Sequence, residues 1–396
     1  MRASRLSYWA AAKSTWQRLF LLLLSFTLVG NGLIGCSYQG WKGTIKLGFV
    51  GPFSGYDAGS AYAAYRALEL AVREWNGRGG VGGYRVEIVA LDDQNTPLVA
   101  ARQAREMAAD SGVLGVVGYL GAEAAAAAEE VHGAVGLPAL VLAPGWEGAA
   151  PAGVLRLGPS LAAEADGAHR LLTGRPLAVI YEQAEPDGKG LAEKLARMVA
   201  RRAQLAGGQV VAEIGLGLYD RDWKTLARRL RSSGAKAVFY SGGFERAASF
   251  WAAERESLEG LEIVVGCQAD TPDFHRLGRD RLSGVLYLSS TLELSGDSAK
   301  RAQFESNYLA LTGEKPQGRS YLAYDAATFL LLAAASEAAA GRPPSRAGVL
   351  HALPRIGQQR GVGRALDWEP GRLAEGGRVP AFRLGPDGYP GRREVQ

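Results

Sequence analysis

From residue 45 onward the chain alternates between short apolar runs of strand length and longer stretches with helical periodicity, which restricts the folds open to it. Residues 45–50 (IKLGFV) form an apolar run closed by Gly51-Pro52, the pattern of a buried strand followed by a turn. Residues 61–75 repeat apolar side chains at helical spacing and stop at Asn76-Gly77, a helix-ending pair. Strands are predicted next at 84–91, 113–117 and 137–142, with helices at 98–109 and 122–135 between them. After Ser160 the same order resumes. Helices 160–173, 188–206, 222–233 and 245–257 alternate with strands 176–181, 209–214, 236–241 and 261–266, and strand 284–288 closes the series. Strands this rich in Val and Ile have apolar side chains for both faces. They belong in parallel sheets covered by helices on each side, an α/β fold.

About ten strands fit one large sheet or two smaller ones, and two features favour two. Residues 154–159 (VLRLGP) and 284–290 (GVLYLSS) are short strand-like runs that read as crossings between lobes. Residues 298–353 are then purely helical, and short strands return around 366–368 and 381–384. A chain that ends in a different element order from its middle implies lobes that are discontinuous in sequence.

The first 35 residues differ from the rest. Their only charges are Arg2, Arg5, Lys13 and Arg18, followed by the apolar run 19–29 (LFLLLLSFTLV). That run has the length of a signal-peptide core and is too short to span a bilayer. It leads to Leu33-Ile34-Gly35-Cys36, which resembles a bacterial lipobox in which Cys36 receives lipid and becomes the new N-terminus. On this reading 1–35 is a lipoprotein signal peptide and 36–44 a tether. Losing the four leader cations takes the formal charge from +5 to +1. A nucleic-acid partner would need a clustered basic face, and Arg102, Arg105, Arg201, Arg202, Arg228, Arg229 and Arg231 instead sit beside acids on amphipathic stretches. The two cysteines, Cys36 and Cys267, leave no internal disulfide once Cys36 is lipidated. His132, His169, His275 and His351 are scattered, so no metal site is expected.

No enzyme motif is present. Gly215-Leu216-Gly217 lacks the third glycine of a dinucleotide loop, and the Gly79–Gly83 cluster follows a helix and precedes a strand, the wrong order. There is no Walker A loop, no G-x-S-x-G elbow and no evident nucleophile–base pair. Asp92-Asp93 reads as a strand-end turn. Neither enzymatic activity nor a cofactor is expected.

Several segments together resemble the branched-chain-amino-acid type of periplasmic binding protein. These are IKLGFVGPFSG at 45–55 and ALELAVREWNGRGGVGGYRVEIVALDDQNTPLVA at 67–100, then GVVGYLG at 115–121 and LPALVLAPG at 137–145. DGKGLA at 187–192, AKAVFYSGG at 235–243 and YLAYDAA at 321–327 follow in the same order. The resemblance covers the chain from about residue 45. It implies two doubly wound parallel-sheet lobes joined by three crossover segments, with a ligand cleft between them that closes about a hinge. The lobes would comprise 45–158 with 289–355, and 159–288 with 356–396. The implied function is that of an exported, membrane-anchored lipoprotein, acting as a monomer, that delivers a small solute to the transmembrane subunits of an ABC importer. A ligand-sensing module of the same fold is the alternative.

The resemblance also implies ligand contacts from the loops that follow the strands. Carried onto this chain, these supply Ser54, Tyr56, Ser60, Tyr62, Gly121, Ala122, Gly145, Trp146, Glu147, Asp187, Phe244, Gln268, Asp270 and Arg319. Amino-acid binders grip a carboxylate with hydroxyls and helix N-terminal N–H groups. Here Ala122 replaces the usual serine, Gly145-Trp146-Glu147 replaces small residues and a threonine, and the acid expected opposite the ligand ammonium falls at Gln268, with Asp270 two residues on. An ammonium-bearing, amide-like or neutral polar solute fits these changes better than leucine, isoleucine or valine. Trp146 and Tyr56 either wall the cleft or, for Trp146, cap a core. Glu147 either pairs with a ligand cation or faces solvent. Asp187 either meets a cation or caps the helix after it, and Arg319 either binds an anion or faces solvent.

Overall fold

The apolar runs become strands whose side chains alternate between two buried faces. In β1 (Gly43–Gly51), Ile45, Leu47 and Phe49 point to one core and Val50 to another. The structure, a computed structural model, describes residues 40–55, 57–183, 190–277, 281–291, 293–366, 378–385 and the backbone of 390–394. After β1 come α1 (Ala58–Gly77), β2 (Tyr84–Asp92), α2 (Pro97–Ala109), β3 (Val113–Gly118), α3 (Ala122–Val135), β4 (Ala139–Val141) and β5 (Val154–Arg156). These strands form one parallel sheet in the order β2-β1-β3-β4-β5.

The chain then enters a second lobe. It runs through α4 (Leu161–Leu172), β6 (Leu177–Glu182), α5 (Leu191–Leu205), β7 (Val210–Leu216), α6 (Trp223–Ser232), β8 (Ala237–Ser241), α7 (Phe244–Glu254), β9 (Glu262–Val265), α8 (Pro272–Leu277) and β10 (Leu286–Leu288). It returns to the first lobe as α9 (Ser298–Thr312), α10 (Gly318–Ala339), α11 (Arg346–Ala352) and the small antiparallel pair β11 (Gln359–Arg360) and β12 (Ala365–Leu366). It ends in the second lobe as β13 (Ala381–Leu384) and β14 (Pro390–Glu394). The second sheet has the order β7-β6-β8-β9-β10-β13-β14, parallel except at β10–β13 and β13–β14. The two lobes are thus joined by three crossings, after β5, after β10 and between β12 and β13. Neither α8 nor β14 had a sequence signal that predicted it.

Each sheet is covered on both faces. In β8, Val238 and Tyr240 enter one core while Ala237 and Phe239 enter the other. Fully burying a side chain such as Phe49 or Phe239 contributes about 1.5–3 kcal/mol, which makes the strand registers costly to shift. α10 is long and apolar enough to cross a membrane by composition, but it packs against α1 with Phe329, Leu330 and Leu331 buried in the first lobe's core. At the end of β3, Gly118 has φ +150°, and a Cβ there would lie 2.0 Å from Val50 O, so the approach of β1 to β3 excludes any side chain.

One buried carboxylate anchors the turn that precedes the third crossing. Asp325 on α10 accepts the backbone N–H groups of Val362 (2.6 Å), Gly363 (2.8 Å) and Arg364 (3.1 Å). This ties the β11–β12 turn to α10, and Val362 and Leu366 pack into the first lobe's core although the sequence reading assigned residues 356–396 to the second. Burial pushes the Asp325 carboxyl up to about 6, opposed by those three N–H groups. We expect Asp325→Ala, which leaves three N–H groups without their acceptor, to cost about 3 kcal/mol or more in urea unfolding.

Candidate functional site

Strand order decides where a cleft forms. In the first sheet β1 lies between β2 and β3, and in the second β6 lies between β7 and β8. Loops leaving the carboxyl ends of β1 and β3, and of β6 and β8, therefore diverge, the usual ligand position of an open α/β sheet. The two switch points face each other across a cavity of about 300 Å³. The first lobe contributes Asp57 after β1, Asn95 after β2, Gly121, Ala122 and Glu123 at the start of α3, and Gly145 after β4. The second contributes Glu182 and Gln183 after β6, Ser241 to Glu245 after β8, Gly266 and Gln268 after β9, and an apolar wall of Leu161, Leu191, Leu195 and Phe244.

The acids of this cavity are held in different ways. Asp57 accepts from Asn95 Nδ2 at 2.7 Å. Glu123 lies in the first turn of α3, where the helix dipole favours an anion. Glu182 accepts from Tyr240 Oη at 2.7 Å and Gly243 N at 3.1 Å, with Arg246 Nη1 at 3.7 Å. Glu164, only 3% exposed, accepts from Cys267 N at 2.6 Å, and burial pushes its carboxyl up to about 7. Burial raises Glu245 to about 6, helped by repulsion from Asp57, Glu182 and Asp273. The described residues with positive φ other than glycine are Gln94 (55°), Asn95 (51°) and Tyr119 (53°). All three follow β2 or β3, so the backbone strain collects at this edge of the first sheet.

Of the residues named from sequence, Gly121, Ala122, Gly145, Phe244 and Gln268 line the cavity. Others lie elsewhere. Ser54 is exposed and its hydroxyl meets Asp92. Ser60 is buried in the first turn of α1, and Tyr62 is half exposed with its ring edge-on to Phe53. Asp270 accepts from Ser289 Oγ and from Ser290 N and Oγ, pinning the second crossing. Arg319 does not face solvent: it is 6% exposed, lies near Asp57 and Asp270, and its Nε has no hydrogen-bond partner. Tyr56, Asp187 and Cys36 fall outside the described residues. Asp57, Asn95, Glu164, Glu182 and Glu245 were not singled out from sequence. Glu164 had a signal, since it sits on the apolar stripe of its helix with Leu161, Ala165 and Ala168.

Trp146 and Glu147 belong to the rim. The Trp146 indole donates to Gly158 O at 2.8 Å, and the Arg156 guanidinium lies 5.2 Å from its ring centre. Arg156 also forks onto Glu129 and donates to Glu147 O and Gly148 O, so one guanidinium fixes the whole loop after β4. Glu147 pairs with Lys194 on α5, across the cleft mouth. On the opposite rim, Asp273 of α8 lies against Gly59 in the first turn of α1. We expect Trp146→Ala to lower stability by about 1–3 kcal/mol in urea unfolding through lost packing and stacking, while any solute-induced thermal shift keeps its wild-type size.

Comparison with known proteins agrees with this architecture. A family model described as periplasmic binding protein matches residues 44–377. An amino acid binding protein of Pseudomonas aeruginosa is 26% identical over 209 residues, covering 50% of this chain and 54% of the relative. A Leu/Ile/Val-binding protein of Citrobacter freundii is 27% identical over 222 residues, covering 54% and 59%. The chain thus spans little more than half the length of these relatives. Among solved structures, the branched-chain amino acid transporter substrate-binding protein LivJ of Streptococcus pneumoniae, in complex with isoleucine, superposes with a TM-score of 0.74 at 21% identity, covering 89% of this chain and 99% of that one. Two doubly wound lobes, three crossings, a cavity at facing switch points and a family match over most of the sequence make this chain a member of the periplasmic binding protein family.

Proposed function

We propose that the protein is the extracytoplasmic solute receptor of an ABC importer, which captures an amino acid or related small polar solute between its lobes and presents it to the transmembrane subunits. The observation that carries this reading is the cavity itself, whose polar groups come from both lobes, from the ends of strands, the loops after them and the helices that line them. A solute held there bridges the two, so binding favours the closed arrangement over an open one. The rim contacts suit such a motion. The Glu147–Lys194 pair is substantially exposed on both sides and contributes about 0–1 kcal/mol, little enough to break at each opening. The names of the relatives, which bind amino acids, support the same class of cargo. The apolar leader and Cys36 support a lipid anchor that keeps the receptor beside its permease.

Thermal denaturation against amino acids, amides, amines, urea-like compounds and aromatic acids tests the receptor reading. A cognate solute at a hundred times its dissociation constant stabilises the folded state by about 2.7 kcal/mol. We expect one chemical class to raise the midpoint, and silence across all classes would remove the reading. For the anchor, Cys36→Ala is expected to abolish incorporation of labelled palmitate in a bacterial host, and persistent label would refute lipidation at Cys36.

A further inference from the structure

We infer that the cavity selects a small organic cation without a carboxylate, an alkylamine or alkylguanidine, in preference to a zwitterionic amino acid. The inference rests on the receptor reading above and names its ligand class. Five carboxyl side chains line the cavity, from Asp57, Glu123, Glu164, Glu182 and Glu245, and the described lining residues include no Lys, Arg or His. Two of the five are already satisfied: Glu182 by Tyr240, Gly243 and Arg246, and Asp57 by Asn95.

Glu164 is the most telling. It is almost fully buried, one oxygen takes the Cys267 N–H, the Cys267 thiol also meets the carboxylate, and the residue lines the cavity. A buried carboxylate with no cation beside it is costly to ionise, and a ligand cation would offset that cost. Glu245, in the first turn of α7, has no ion pair among the described residues. Nothing comparable awaits a ligand carboxylate. Ser241 is the one hydroxyl among the described lining residues. The start of α3, whose N–H groups are the natural anion acceptor of the first lobe, already carries Glu123 in its first turn. Asn95 Oδ1 also presses on Gly121 so closely that a Cβ there would lie 1.7 Å away. The wall of Leu161, Leu191, Leu195 and Phe244 suits the alkyl part of such a cation.

The free-protein titration of the two acids gives a signature. Glu164 is raised to about 7 by burial and is faced by the Cys267 thiol. Glu245 is raised to about 6 by burial and is faced by Asp57 from the first lobe, Glu182 from β6 and Asp273 from α8. A bound cation favours their ionised forms and so expels protons from whichever are still protonated. Affinity for an amine that stays charged should therefore fall as the pH drops below about 7, by up to tenfold per unit for each linked proton.

Calorimetric titration of the purified protein at pH 8 with four probes tests the inference. Three are matched: isoamylamine is leucine without its carboxylate, leucine is the zwitterion, and 4-methylpentanoate is leucine without its ammonium. Agmatine adds a guanidinium. We expect one of the two cations to bind at least tenfold more tightly than leucine, 4-methylpentanoate not to bind, and binding at pH 6 to release protons, read as an enthalpy that depends on the buffer. Glu164→Gln, which keeps an acceptor for Cys267 N–H, should weaken cation binding about tenfold or more, with Glu245→Gln as a second, independent variant. Leucine or the free acid binding as tightly as the cations, or any uncharged solute binding while both cations are silent, overturns the cation assignment and leaves the receptor reading standing. Silence from every probe and from the wider solute set brings down both.

Discussion

A parallel sheet must be buried on both faces, and the rest of this structure depends on that constraint. Helices have to cross from the end of each strand to the start of the next, so every strand in the parallel part points the same way and every carboxyl end opens on the same edge. Where the winding reverses, at β1–β3 and β6–β8, the covering helices part and leave a crevice. Two such sheets facing each other put a cavity between their crevices before any particular side chain is chosen. The cores supply the rigidity, through strands whose alternate residues lock into separate clusters on opposite faces. Single polar residues supply the alignment: Arg156 holds the loop after β4, Asp270 pins the second crossing and Asp325 the β11–β12 turn.

The interior charges follow a pattern. Carboxylates that serve the fold are saturated. Asp325 takes three backbone N–H groups and Glu129 takes a forked arginine. Carboxylates at the cavity are less so: Glu182 has Tyr240 Oη, Gly243 N and a distant Arg246, and Glu164 has only Cys267, through its N–H and its thiol. Asp93, beneath the first lobe's strained edge, is fully buried and raised to about 6 by burial, with one oxygen bonded to Asn95 N and the other unpartnered. The same loop therefore stores backbone strain and an incompletely satisfied acid beside Asn95, which reaches the cavity.

Much of the fold was legible in the sequence because periodicity is a local signal. Helix 122–135 was read to the residue, and the bounds of most other elements lay within about three residues. β14 and α8 escaped because each is short, and their pairing or packing comes from chain far away in sequence. The site was harder to read. Loops after strands pointed to Gly121, Gly145 and Phe244, yet the same rule named Trp146 and Tyr62, whose side chains turn toward their own lobe. Which way a loop side chain turns depends on partners such as Gly158 and Arg156, and local sequence does not name them. Glu164 and Glu182 lie outside the loops that follow strands, since one sits on a helix and the other ends a strand, so the loop pattern in the sequence does not point to them.

The contact between Gly59 and Asp273 has a separate consequence. A Cβ at position 59 would come within 2.5 Å of the Asp273 carboxylate, the far end of a rotatable side chain, so a methyl there turns that carboxylate aside before it presses on the backbone of the other lobe. The position lies on the rim and contributes nothing to the cavity lining. On the capture reading, an alanine there displaces one carboxylate, and progressively larger residues become wedges between the lobes. The depth of closure becomes an adjustable quantity at this point, separable from ligand chemistry, and a graded set of side chains at 59 would calibrate how much of the holding strength comes from shutting the jaws and how much from the grip inside them.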